Sequence, residues 1–110
     1  MAYRDIQKRR NNMREYRQTP MGRWVVYKDG ANKRGIKWEL TFEQFMIFWQ
    51  KPCYYCGDEI KTIGLDRIDN TKGYSIDNVV SCCSICNYMK LNNSQDEFIE
   101  HCKKIVKFIN

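Results

Sequence analysis

Four of the six cysteines in this chain stand in two close pairs, Cys53-Tyr-Tyr-Cys56 and Cys83-Ser-Ile-Cys86. A Cys-x-x-Cys turn presents two thiolates to one metal, and two such turns close a tetrahedral zinc shell. With no ligand position left open, that Zn²⁺ would be structural. Its binding energy would become folding energy, on the order of 10 kcal/mol or more in small zinc domains. A disulfide framework is the competing use of these cysteines. The segment Met1 to Arg10 has no apolar stretch of the kind that opens a secretory leader. That favours zinc and a reducing, cytoplasmic setting. Cys82 lies beside Cys83 and could compete for the metal. Cys83 is preferred, because its spacing to Cys86 repeats that of Cys53 to Cys56. Cys102 falls on the apolar stripe of a C-terminal helix and reads as a buried, inert thiol.

Around these pairs run Gly64-Leu65-Asp66-Arg67-Ile68-Asp69-Asn70, Gly73-Tyr74-Ser75, Asp77-Asn78-Val79-Val80 and Asn87-Tyr88-Met89-Lys90. Asp66 and Asn87 are hard oxygen donors, suited to Mg²⁺ or Mn²⁺ rather than to zinc. Lys90 lies one helical turn after Asn87, on the same side, where it could contact phosphate. Each residue has an ordinary reading when taken alone: a strand acid, a turn amide, a helix-surface amide. Together, over roughly residues 50–92, the segments resemble the HNH endonuclease family. The likeness is to its branch with two zinc-binding Cys-x-x-Cys pairs, which includes phage-encoded proteins and rare-cutting restriction enzymes. A weaker likeness runs upstream through Ala31-Asn32-Lys33-Arg34-Gly35 and Leu40-Thr41-Phe42.

The resemblance implies an α+β fold: a small zinc-stapled ββα-metal core, treble-clef-like, with N-terminal and C-terminal helices. It implies hydrolysis of DNA phosphodiester bonds, by nicking or, in a homodimer, by double-strand cutting. Asp66 stands at the family's metal-binding Asp, Asn78 at the central Asn that holds the loop between the strands, and Asn87 at the last metal-binding position. Arg67 stands where most members carry the histidine that activates water. A guanidinium stays protonated and cannot be a base, but it can stabilise charge developing on phosphate. Tyr74, in the loop between the strands, is then the leading protonatable group, with metal-bound hydroxide as the alternative. His101, the one histidine, falls outside the motif. The departure at Arg67 also keeps open a second function, a catalytically silent zinc module that binds DNA.

Two elements must hold such a centre, a strand pair and the helix after it. The pattern predicts strands at Thr62–Ile68 and Asn78–Cys82 and a short helix from Ser84 to about Leu91. Upstream, Thr41-Phe42-Glu43-Gln44 is a capping box opening a greasy helix that Pro52 ends. Thr19-Pro20 starts a helix reaching about Arg34, with Gly35 as its cap. Downstream, Ser94 opens a last helix with Phe98, Ile99, Cys102, Ile105, Val106 and Ile109 on one stripe.

Charge is unevenly placed. Residues 1–37 hold 11 Lys and Arg against 3 Asp and Glu, a net of +8, whereas the whole chain carries +6. Residues 1–36 therefore read as a basic DNA-binding arm, and 37–110 as the nuclease domain. Residues 3–17 read as a polar helix with its basic residues spread around it. The candidate DNA contacts are Lys8, Arg9, Arg10, Arg14, Arg17, Lys33, Arg34 and Lys90. The longest apolar run, Phe45 to Trp49, is too short to span a membrane.

Overall fold

In the computed structural model, residues 2–110 are described; the first residue of the expected 1–36 arm lies outside them. The elements in order are α1 (Tyr3–Arg17), α2 (Pro20–Lys33), α3 (Phe42–Met46), β1 (Leu65–Arg67), β2 (Val79–Ser81), α4 (Ser84–Lys90) and α5 (Gln95–Ile109). The α+β class and the strand–strand–helix order agree with the sequence reading.

Local chemistry sets the helix ends. The Thr19 side chain accepts from the Gly22 N–H, with Pro20 at the first helical position. At the other end of α2, Gly35 takes φ +68°. The Ile36 N–H then reaches the Ala31 carbonyl and the Gly35 N–H the Asn32 carbonyl, a Schellman cap. Thr41 and Gln44 form the reciprocal capping box. Contrary to expectation, α3 stops at Met46, well before Pro52. Gln50 sits at φ 55°, and its N–H leaves the helix pattern for the Thr62 carbonyl. The chain is thereby turned into the first cysteine pair.

The two strands are shorter than expected, three residues each, and pair antiparallel with Asp66 opposite Val80. Alternation splits the ribbon into two faces. Leu65 and Val79 join Ala31, Leu40, Phe45, Phe48, Ile63 and Tyr74 in one core, flanked by Trp24, Tyr27 and Trp38. Asp66 faces the other way, toward α4. Because Trp24, Tyr27 and Ala31 pack on this core, α2 belongs to the body. No residue of α1 is buried, and the same holds for α5. Four of the arginines of α1, Arg9, Arg10, Arg14 and Arg17, line one groove with Met13, while Arg4 and Lys8 lie outside it.

Gly64 lies where the ribbon meets the second cysteine pair. The Cys82 N–H bonds the Gly64 carbonyl at 3.0 Å, and a Cβ at Gly64 would run into the Cys82 carbonyl oxygen. We expect Gly64→Ala to lose about 1–3 kcal/mol, the cost of overpacking. Gly30→Ala, in an open helical position, should gain roughly 0.5–1 kcal/mol. Urea denaturation of the two variants checks this; equal stabilities would remove the close approach at Gly64 as a constraint.

Candidate active site and metal centre

The four thiols of Cys53, Cys56, Cys83 and Cys86 lie within 4.8 Å of one another. Cys56 and Cys83 Sγ are 3.7 Å apart. Sulfurs about 2.3 Å from one Zn²⁺ in a tetrahedron stand about 3.8 Å from each other, so these four could bind a metal such as zinc. Among the described residues, no other group of three or more His, Cys, Asp or Glu side chains gathers in this way. Burial works against a Cys53 thiolate, but the backbone N–H groups of Cys56, Cys83 and Tyr55 outweigh it and bring the thiol down to about 6. Cys82 is different. Its side chain points to the Cys83 carbonyl, it is buried, and burial together with the Asp66 charge pushes its thiol up to about 12. What sets it apart is position: the four thiols that gather do not include it. Cys102 is half-buried on α5.

The ββα face brings together residues that the sequence reading had put to other uses. Asp66 is buried. Its Oδ2 accepts the Tyr55 hydroxyl at 2.6 Å, and its Oδ1 pairs with Lys90 Nζ at 3.2 Å. Lys90 is 0 % exposed and also reaches the Arg67 carbonyl. Lys90 is therefore not a phosphate contact: helix α4 aims it inward, where its ammonium balances the buried carboxylate. Removing one partner of such a pair leaves an uncompensated buried charge. Burial first, and then the bond to Asp66, push the Tyr55 phenol above its ordinary pKa, so it stays a neutral donor. Of the three, only Tyr55 is half-exposed.

Of the pair expected to hold a cation, Asp66 is buried with both carboxylate oxygens engaged. Asn87 is exposed and lines a cleft with Arg23 and Ser84.

Tyr74 is likewise displaced from its expected role. It is buried in the aromatic core, 5.3 Å centroid to centroid from Trp38, and its hydroxyl accepts from Arg34. Arg67 lies over the Tyr74 ring and donates through Nη1 to the Asn70 and Lys72 carbonyls. It thus holds the loop between the strands and lines a polar cleft of about 620 Å³ beside that loop. Asn78 is buried and clamps the same loop: Oδ1 accepts from the Asp69 N–H, and Nδ2 donates to the Asp69 and Gly73 carbonyls. Lys8, Arg9, Arg10, Arg14, Arg17 and Lys33 are exposed on α1 and α2, and Arg34 is exposed despite its bond to Tyr74. His101 is exposed on α5.

With the knuckle, ribbon and helix in place, comparison with known proteins is informative. No family model matches the chain. A solved structure of the rare-cutting HNH restriction endonuclease PacI matches with a TM-score of 0.66 and 28% identity, over 81% of this chain and 78% of that one. This is the HNH fold. The likeness extends beyond the HNH motif, since four-fifths of the chain is covered. An uncharacterised protein, R423 of Acanthamoeba polyphaga mimivirus, is 36% identical over 88 residues. Those residues make up 78% of this chain but 17% of the viral protein, so the HNH-like unit spans about a sixth of that relative.

Sequence reasoning missed Tyr55. Its signal was visible: a hydroxyl-bearing aromatic next to a zinc-type cysteine, held by the knuckle that the cysteine anchors. We expect purified protein to carry about one equivalent of zinc. Serine at Cys53, Cys56, Cys83 or Cys86 should strip the metal and lower stability sharply, whereas Cys82→Ser should retain it. Elemental analysis checks this, and loss of zinc in Cys82→Ser with retention in Cys83→Ser would overturn the assignment.

Proposed function

We propose that the chain is an endonuclease that hydrolyses DNA phosphodiester bonds, nicking with one centre and cutting both strands when two copies act together. The observation that carries this reading is the likeness to an HNH restriction endonuclease over four-fifths of both chains. The groove of four arginines on α1 supports DNA as the substrate, because phosphate neutralisation supplies most non-specific affinity.

The chemistry is assigned to the Tyr55–Asp66–Lys90 group. Hydrolysis needs an atom that takes a proton from the attacking water. Asp66 and Lys90 are buried, so the phenol oxygen of Tyr55 is the member that substrate can meet. It takes the proton from water while passing its own to Asp66 Oδ2, and Lys90 Nζ holds the other carboxylate oxygen in place. Arg67 holds the loop and turns its remaining N–H donors toward a phosphate oxygen as charge builds there. Asn78 keeps the loop rigid, so that these groups stay in register. No step is assigned to a dication.

The test is nicking of supercoiled plasmid with Mg²⁺, with Mn²⁺ and with EDTA. Wild type should nick, and Tyr55→Phe should cleave roughly 10²-fold or more slowly while binding DNA normally. Tyr74→Phe should cleave within a few-fold of wild type. Full activity of Tyr55→Phe would remove Tyr55 from the chemistry. Binding without cleavage under every condition would make the chain a silent DNA-binding module. Linear product in place of nicked circles would mark a homodimer.

A further inference from the structure

A second polar cleft, of about 350 Å³, opens between α2, the segment 59–64 and the start of α4. It is lined by Arg23 and Tyr27 on α2, by Lys61 and Thr62, and by Ser84 and Asn87 on α4, with Glu59 at its side. The guanidinium of Arg23 lies 5.6 Å from the centre of the Tyr27 ring. Tyr27 is itself fixed, since its hydroxyl accepts the Leu65 N–H at 3.3 Å. The ring therefore holds the arginine in place. Arg23 Nε is a buried donor without a hydrogen-bond partner. Buried donors in folded proteins are nearly always satisfied, by protein, water or ligand. A guanidinium that lines a cleft with an exposed amide and a hydroxyl is suited, through its terminal N–H groups, to a tetrahedral oxyanion. Guanidinium forks bind phosphate with two parallel bonds.

We propose that this cleft is a phosphate subsite, in which Arg23 takes a backbone phosphate of the bound strand and Asn87 and Ser84 donate to the same group. The inference rests on the reading of the chain as a DNA-acting protein and adds a contact which that reading does not contain. It also gives Asn87 a use other than the metal ligation expected of it. The carboxylate of Glu59 discourages a free dianion more than a singly charged diester, which favours a strand phosphate over inorganic phosphate.

The test uses the zinc-loaded protein with ¹⁵N label and follows the Nε–H resonance of Arg23, assigned from Arg23→Lys. The probes are a short DNA duplex resistant to cleavage and, separately, inorganic phosphate. With the duplex, the Arg23 resonance should shift and saturate together with binding. With inorganic phosphate it should shift only at concentrations about 100-fold higher or more. Binding is then measured against salt. Arg23→Gln, which keeps the stem on Tyr27, should weaken duplex binding and reduce the slope of log K against log salt by about 0.9, the value for one phosphate. Lys104→Gln, exposed on α5, should leave that slope unchanged. A wild type that binds duplex with an unmoved Arg23 resonance overturns the subsite but leaves the DNA reading standing. A resonance that follows inorganic phosphate in a protein that binds no duplex overturns the strand assignment and the DNA reading together. An unchanged slope in Arg23→Gln, with zinc content and melting temperature intact, also overturns the proposal.

Discussion

Everything that resembles a reaction centre in this molecule depends on four thiols meeting in one place. Cys53 and Cys56 belong to a knuckle that follows the aromatic α3 region, and Cys83 and Cys86 open α4. Cys56 and Cys83 stand 27 positions apart, and the chain between them contains the whole ribbon and its loop. Joining their ends costs chain entropy that two three-residue strands cannot offset. A metal shell can. Once it closes, Tyr55 on the knuckle, Asp66 on β1 and Lys90 on α4 have nowhere else to point. The metal then takes no part in the chemistry, yet it sets the distances at which chemistry could occur.

The second constraint is electrostatic. A buried carboxylate and a fully buried ammonium each pay a large desolvation cost, and neither would be tolerated alone. Their pairing, with the Tyr55 hydroxyl on the remaining oxygen, makes the arrangement tolerable. The same pairing explains why Asp66 is not simply a metal ligand waiting for its cation. The side chain that sequence spacing puts beside phosphate supplies a positive charge from within the fold. On the opposite ribbon face, Arg67, Tyr74 and Arg34 form a stack that fixes the loop.

Much of the fold was legible in the sequence, because its signals are local. Thr19-Pro20, the Thr41–Gln44 box, Gly35 and Ser94 each mark a helix end through the partner of one backbone group. The two cysteine pairs show by spacing alone that four thiols could gather, and the structure gathers them. What was not legible depends on which way a side chain turns. Lys90 and Asn87 are three residues apart on one helix, so spacing gave them one side. The ribbon's tight approach at Gly64 instead draws Lys90 under Asp66 and leaves Asn87 in the neighbouring cleft. Tyr74 and Tyr55 are both tyrosines beside the motif. Only the packing of Trp38, Tyr27 and Phe45 shows that the first belongs to the core. The early end of α3 was hidden for a related reason: Gln50 gives its N–H to Thr62, a partner distant in sequence.

The claim that the thiol shell organises the centre is tested most directly by amide hydrogen exchange on reduced protein, zinc-loaded and after zinc is removed by a chelator. The account predicts that removal raises exchange by orders of magnitude at the ribbon amides of Leu65–Arg67 and Val79–Ser81 and through α4, together with the knuckle. If the ribbon and α4 keep their protection without metal, packing alone holds Tyr55, Asp66 and Lys90 together, and the central role given to the four cysteines is wrong.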